Sequence, residues 1–384
     1  MKITRIQATP LNVPVEVDLL GLRRSSSLSV CLVEIETDTG IVGYGITGIT
    51  EEEVIASTVN EIAAPALVGD DALATEAAWD KLYWLLSPRG QTGYASHAMA
   101  AIDIALWDIK GKALGLPVWR LLGGARARVP VYATFGFAMF DREQLAAAAK
   151  LWVSQGYRRL KMVVGHQALA RRDAPRPLSE VIAEDEMRIR AVREAIGPGI
   201  PLYIDANCSL DHFHAIELAR RVEDCGIAFF EEPITQNDAR MMADMRRRTR
   251  IPLACGQNEG LAFRFRDLLL AEAVDVLQPN VVISGGYTQC VRIAGMAQAF
   301  NIGLANGGAW APWNMHLHAG LAYGGLVEQH YVATLVAEQL FDGLPRPVDG
   351  WLALPETPGL GFSPRTESIR DIAARPTSHG AGKG

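Results

Sequence analysis

PLYIDANCSLDHFHAIELARRVEDCGIAFFEEP, residues 201–233, is a strand, a helix and a second strand in 33 residues. The first apolar run, 201–206, closes on Asp205 and is followed by Asn207. A helical pattern begins near His212 and His214. The second run, 227–231, closes on Glu231, with Glu232 and Pro233 behind it. Short apolar runs of this kind, alternating with amphipathic helices, mark parallel strands joined by crossovers.

Outward from this unit the same rhythm repeats. Further strands are expected at 129–134, 158–164, 251–256, 274–278, 302–305 and 326–328, most followed by a helical segment. With the two above, that makes eight, the plan of a (β/α)₈ barrel. Before Val129 the pattern differs. Strands are expected at 2–9, 28–37 and 41–47, with Asp38-Thr39-Gly40 as a hairpin turn. Helices follow at 51–65, 73–86 and 96–114. The last carries Met99, Ile102, Leu106 and Ile109 at helical spacing and ends at Gly115 and Pro117. The chain of 384 residues therefore divides into an N-terminal α+β capping domain (1–127), a barrel (128–344) and a Pro/Gly-rich C-terminal segment (345–384) that returns to the first domain and then frays.

Bulk properties narrow the function. The net charge of −6 gives no general attraction for nucleic acid or anionic membranes. No uncharged apolar stretch reaches the ~18 residues of a membrane span, and the start lacks a signal-peptide run. Cys31, Cys208, Cys225, Cys255 and Cys290 are scattered and form no C-x-x-C pair, as expected for reduced thiols in the cytoplasm. Only seven of 37 basic residues are lysine, so Lys161, inside an expected strand, stands out.

Barrel chemistry sits at the C-terminal ends of the strands. Polar residues fall there at Asp205, Glu231, Gln257, Asn280, Asn306 and Glu328, each one strand–helix unit from the next. Three consecutive oxygen donors, Asp205, Glu231 and Gln257, suit a hard cation such as Mg²⁺, which prefers oxygen ligands. Acids also cap helices, but the adjacent Glu231 and Glu232 repel each other unless a cation compensates. Lys161 ends strand two, where desolvation and a metal would lower its pKa and make it a base; otherwise it grips a substrate carboxylate.

These residues resemble the enolase superfamily, in its mandelate racemase and muconate-lactonizing branch. The stretches that carry the likeness are SHAMAAIDIALWDIKGKALGLPVWRLLGG (96–124), IDAN (204–207), FFEEP (229–233), QPN…GG (278–286) and LVE (326–328). The resemblance implies a capping domain over a modified barrel, a small carboxylate substrate, symmetric homo-oligomers, and Mg²⁺ stabilising an enolate after α-proton abstraction. It places metal ligands at Asp205, Glu231 and Gln257, with Glu259 as an alternative third. It places substrate contacts at Asn207, Asn280, Asn306 and Glu328. Lys161 matches the first lysine of the family's Lys-x-Lys. The second is Val163, and the strand-six Asp and strand-seven His are replaced by Asn280 and by Asn306-Gly307-Gly308. Without the two standard bases, a one-base sugar-acid or hydroxy-acid dehydratase is expected, or a related epimerase or cycloisomerase. Lys161 is its proton carrier and His166 the reserve. A catalytically degenerate carboxylate-binding protein is the alternative, and a Schiff-base aldolase a remote one. Arg171, Arg172 and Arg176 in a long basic loop are candidates to close over an anionic substrate, and Trp310 and Trp313 to wall the pocket.

Overall fold

The computed structural model describes residues 1–165 and 177–375. Three antiparallel strands, β1 (Ile3–Leu19), β2 (Leu22–Thr37) and β3 (Val42–Gly48), form the first sheet. The first two are far longer than expected. Their register runs unbroken from Val13↔Leu28 to Leu19↔Leu22, so residues 17–27 are the tip of a hairpin. Pro10 and Pro14 hid this continuation. β1 is an edge strand, where a missing N–H is tolerated. Val13, Val15 and Val17 point inward, alternating with the more exposed Asn12, Pro14, Glu16 and Asp18. At the tip, Leu19 and Leu22 pack against the barrel's core.

The helix Tyr94–Leu114 lies directly on β3 and ends at Gly115, which takes the left-handed conformation at φ 67°. A side chain at Gly45 would put its Cβ 1.9 Å from the Ala101 carbonyl oxygen, so only glycine lets the two backbones meet. The same helix reaches the barrel. Asp103 accepts from the Thr288 N–H at 3.0 Å and the Thr288 hydroxyl at 2.6 Å.

Eight parallel strands follow: β4 (Arg128–Gly136), β5 (Leu160–Val163), β6 (Leu202–Asp205), β7 (Ile227–Glu231), β8 (Leu253–Cys255), β9 (Val276–Leu277), β10 (Gly303–Leu304) and β11 (Val327–His330). Each coincides with an expected strand. The sheet runs β10-β9-β8-β7-β6-β5-β4-β11, and an Ala305↔Leu326 bridge joins its ends. After the barrel, Trp351–Ala353 pairs antiparallel with β4. The chain then returns to the N-terminal unit. Leu360 N donates to Asp108, and the helix Thr366–Ala373 lies against β1. Among the described residues no helix is long and apolar enough to cross a membrane.

Candidate functional site

Pleat and register build the site. Side chains two apart on a strand share a face, so Lys161 and Val163 both face the barrel interior. Val163, Asp205 and Glu231 are Cα partners across β5, β6 and β7. Lys161 lies one layer deeper, paired with Thr134 and Tyr203. Beneath is an aromatic floor: Tyr203 stacks on Phe229 with centroids 4.1 Å apart, and Tyr132 lies 5.3 Å from Tyr203.

Lys161 is the centre of that layer. Its buried Nζ lies 3.0 Å from Asp205 Oδ2, 2.8 Å from Glu231 Oε2 and 3.0 Å from Glu328 Oε1. It also sits 5.4 Å from the centroid of the Tyr132 ring. Burial is the largest single influence on the ammonium and pulls its pKa down. Asp205, Glu231 and Glu328 together outweigh burial and hold it well above the usual lysine range. The sequence reading expected burial and a nearby metal ion to lower it; in this structure the three carboxylates prevail over burial.

The carboxylates differ in their partners. Glu328 is pinned, accepting from the Thr134 hydroxyl and from Ala309 N at 2.7 Å. Burial pushes its pKa up, but Lys161 leads the groups that outweigh it, and the net shift is downward. Glu231 is pushed well above its usual range by burial first and Asp205 second. Its second oxygen, Oε1, is buried with no hydrogen-bond partner. The amide of Gln278 is likewise buried without one. A Cβ at Gly307 would come 2.7 Å from Glu231 Oε1 and 3.1 Å from Gln278 Nε2, so the glycine leaves this polar hollow open. The backbone at the mouth is strained: Asn207, Glu232, Ala309 and Trp310 all have φ between 41° and 71°. For residues other than glycine each such conformation costs about 1–2 kcal/mol, and such outliers gather at functional sites.

Gln257 stands beside this cluster. Its Nε2 donates to Glu232 Oε2 at 2.9 Å and to Asn207 Oδ1 at 3.2 Å. Asn207 in turn gives its N–H to Asp205 Oδ1 at 2.8 Å. Glu259 is turned away, held 2.8 Å from Arg264 Nε and accepting from Asn237. Asn280 and Asn306 are buried and spent on backbone. Asn280 donates to the Gly307 and Gly308 carbonyls and accepts from Val282 N. Asn306 donates to Gly307 and Ala309 and accepts from Glu328 N. Together they hold the turn after β10.

His166, Arg171, Arg172 and Arg176 lie outside the described residues. His212 and His214 pair with Asp244 and Asp211 on the outer helices. Trp310 and Trp313 are core residues, and Trp310 lies against Gly48 of β3. His316 and His318 are buried, each pushed down to about 3, chiefly by burial. The sequence reading passed over Thr134, Tyr132 and His330. His330 lies two residues beyond Glu328 on β11 and shares its inward face, a spacing legible as E-x-H.

The site suits a divalent cation. Asp205, Glu231, Glu232 and Glu328 are all buried, and among the described residues Lys161 is the buried cation that pairs with three of them, Asp205, Glu231 and Glu328. Surplus buried negative charge calls for compensation. Glu231 Oε1 is a free oxygen donor, and the flanking donors are hard oxygens. Among the described residues, three His, Cys, Asp or Glu side chains do not already converge as ligands. An amide such as Gln257, or water, must complete the set.

Comparisons with known proteins agree with this fold. Residues 3–123 match the family described as mandelate racemase / muconate lactonizing enzyme, N-terminal domain, and residues 144–368 match the enolase C-terminal domain-like family. The chain is 29% identical over 345 residues to the arabinonate dehydratase of Saccharolobus solfataricus, covering 88% of this chain and 89% of that one. Its fold matches a 3,6-anhydro-D-galactonate cycloisomerase from Zobellia galactanivorans, with a TM-score of 0.84, 32% identity, and 97% and 99% of the two chains covered. It also matches an L-talarate dehydratase from Polaromonas sp. JS666 complexed with Mg and L-glucarate, with a TM-score of 0.83, 29% identity and 96% of each chain covered.

Proposed function

The chain belongs to the mandelate racemase / muconate lactonizing enzyme family of the enolase superfamily, and from that premise we propose that it is a Mg²⁺-dependent lyase or isomerase of sugar acids, a dehydratase first. It takes a proton from the carbon next to a carboxylate and then loses water from the neighbouring carbon. The observation that carries this is the buried layer in which Asp205, Glu231 and Glu328 surround one ammonium while Glu231 Oε1 stays unpaired.

Asp205 and Glu231 would hold Mg²⁺, with the Gln257 amide oxygen as third donor; Glu259 is engaged by Arg264. Bound there, the ion would supply positive charge where the α-carbanion's charge develops. Lys161 is the proton carrier. Its three ion pairs support the ammonium form, which places positive charge beside the substrate and returns a proton; abstraction requires that it first give that proton up. Glu328, fixed from two sides, and Asn207 orient the substrate. Asn280 and Asn306 serve by shaping the rim. Val163, level with Asp205, has no proton to move, which favours elimination with one carrier over two-base racemisation. His166 remains the reserve carrier of this proposal.

The relatives named above act on or hold sugar acids, and a divalent cation held among the buried carboxylates would suit that anionic class. With five free cysteines we place the protein in the cytoplasm, and the family to which it belongs supports a homo-oligomer. The test is turnover of a library of aldonates and aldarates with Mg²⁺ and with chelator. Activity that survives both chelation and Lys161→Ala would overturn the proposal. A second reading, a carboxylate-binding protein without turnover, is favoured by Val163 and by the two asparagines spent on backbone. Calorimetric binding with no product across the same library would support it. The Schiff-base reading fares worse, because an amine nucleophile must be unprotonated and Lys161 is held as ammonium.

A further inference from the structure

His330 ends β11 on the same inward face as Glu328, and its Cα partner on β4 is Thr134, whose hydroxyl holds Glu328. It is also the N-cap of the helix Tyr331–Leu340. Its Nδ1 accepts the Ala333 N–H at 3.3 Å. That bond decides the tautomer: with a lone pair committed at Nδ1, the neutral ring carries its proton on Nε2. The ring is braced by Phe137, centroids 5.1 Å apart. Nε2 has no hydrogen-bond partner among the described residues.

Its surroundings place it at the mouth. The groups that act on it electrostatically are Glu328, Lys161 and Asp205, the residues of the polar layer. Tyr331, next in the chain, packs in the same core as Leu19 of the β1–β2 hairpin tip. Burial is the leading influence on the imidazole and keeps it neutral. A neutral ring with Nδ1 committed is a poor base at Nε2 and a fixed hydrogen-bond donor.

We propose that His330 is a substrate-contacting residue of this active site, whose Nε2–H donates a hydrogen bond to an oxygen of the bound sugar acid, one of its hydroxyls. The inference rests on the sugar-acid reading above and deepens it. Val163, Asn280 and Asn306 offer no free donor at the inner rim, whereas the imidazole presents Nε2–H beside Glu328, where a hydroxyl can be read. A site built to donate to a hydroxyl discriminates against a substrate lacking it, because a buried donor is then left unpaired. No proton changes hands in this role; the ring binds and polarises.

Two amide substitutions separate the ring's two jobs. Asparagine places its oxygen where Nδ1 sits, so His330→Asn keeps the cap and loses the donor at Nε2. Glutamine places its amide nitrogen near Nε2, so His330→Gln keeps the donor and loses the cap. L-glucarate and arabinonate, with their monodeoxy analogues, are the probes, each with Mg²⁺. Kinetics and, in parallel, calorimetric binding are the readouts. His330→Asn is expected to lower kcat/KM, or affinity where turnover is absent, about 10–100-fold, with Tm near wild type. His330→Gln should keep most activity and lower Tm. The analogue missing the contacted hydroxyl should be equally poor with wild type and His330→Asn. A ligand-competent wild type matched by His330→Asn overturns the role of His330 and leaves the sugar-acid reading standing. A wild type that neither binds nor converts any sugar acid overturns both.

Discussion

Across β4, whose neighbours are β5 and β11, the Lys161 ammonium meets the Glu328 carboxylate at 3.0 Å. With Asp205 and Glu231 on its other side, the lysine is the counter-ion on which three buried acids depend. Lys161→Met should therefore destabilise the metal-free protein by about 3–5 kcal/mol, the usual cost of stranding buried charge. Mg²⁺ should restore part of that loss, because it brings positive charge to Asp205 and Glu231. Denaturant unfolding of both proteins with and without Mg²⁺ measures this. Equal losses in both conditions would show that the ion does not share the lysine's carboxylates.

Gly307 is the second test. Its φ is ordinary for any residue, so alanine strains no backbone there, yet the new methyl would meet Glu231 Oε1 at 2.7 Å. Gly307→Ala should keep the fold and fill the hollow beside the unpaired, buried Glu231 Oε1. Mg²⁺ affinity by calorimetry should fall about tenfold or more, with activity falling alongside. Unchanged Mg²⁺ affinity would move the ion away from Glu231 Oε1.

Much of this was legible in the sequence. The eight barrel strands were, because each is a short apolar run bounded by polar or turn residues, and the acids of β6 and β7 were found at their ends. The long β1–β2 hairpin was not, because Pro10 and Pro14 read as strand breakers until β1 is known to be an edge. The pKa direction of Lys161 was not, because it depends on three carboxylates gathered from β6, β7 and β11, and sequence spacing gives the strand of each but not their common distance. His330 was missed for a different reason. It follows Glu328 by two residues, but β11 was read only as far as Glu328, so the face it shares went unseen.

The acid limb of stability should come partly from the helix Ala311–Gly320. His316 and His318 are buried neutral, each with a folded pKa lowered to about 3, against 6.5 unfolded. The unfolded chain takes up these protons below pH 6.5 while the folded chain refuses them. Their contribution is therefore complete above pH 6.5 and is lost as pH falls toward 3. At one pKa unit per ~1.4 kcal/mol, each costs about 2 kcal/mol between pH 6.5 and pH 5. His318 Nδ1 accepts from Gly325 N at 3.0 Å, a bond that an asparagine oxygen can replace. Denaturant unfolding at pH 7 and pH 5 should show His318→Asn losing about 2 kcal/mol less than wild type. An identical loss in both proteins would mean that His318 is hydrated or already charged in the native state.

Gln257 exposes a trade between folding and metal binding. Its Nε2 donates to Glu232 Oε2 at 2.9 Å, so the amide quiets a buried acid whose pKa is already raised, by burial first and Asp205 second. Gln257→Glu replaces that donor with a second carboxylate at the same distance. Without metal, the two acids repel and Glu232 loses a hydrogen bond, so stability should drop by about 1–3 kcal/mol. With Mg²⁺ the sign reverses, because a third anionic donor beside Asp205 and Glu231 binds a hard cation more strongly than an amide does. Mg²⁺ affinity should rise about tenfold, and Mg²⁺ should raise Tm more in the variant than in wild type. Calorimetric titration and paired thermal melts decide it. A variant that loses stability without gaining affinity would place Gln257 outside the ion's ligands, as a brace for Glu232 alone.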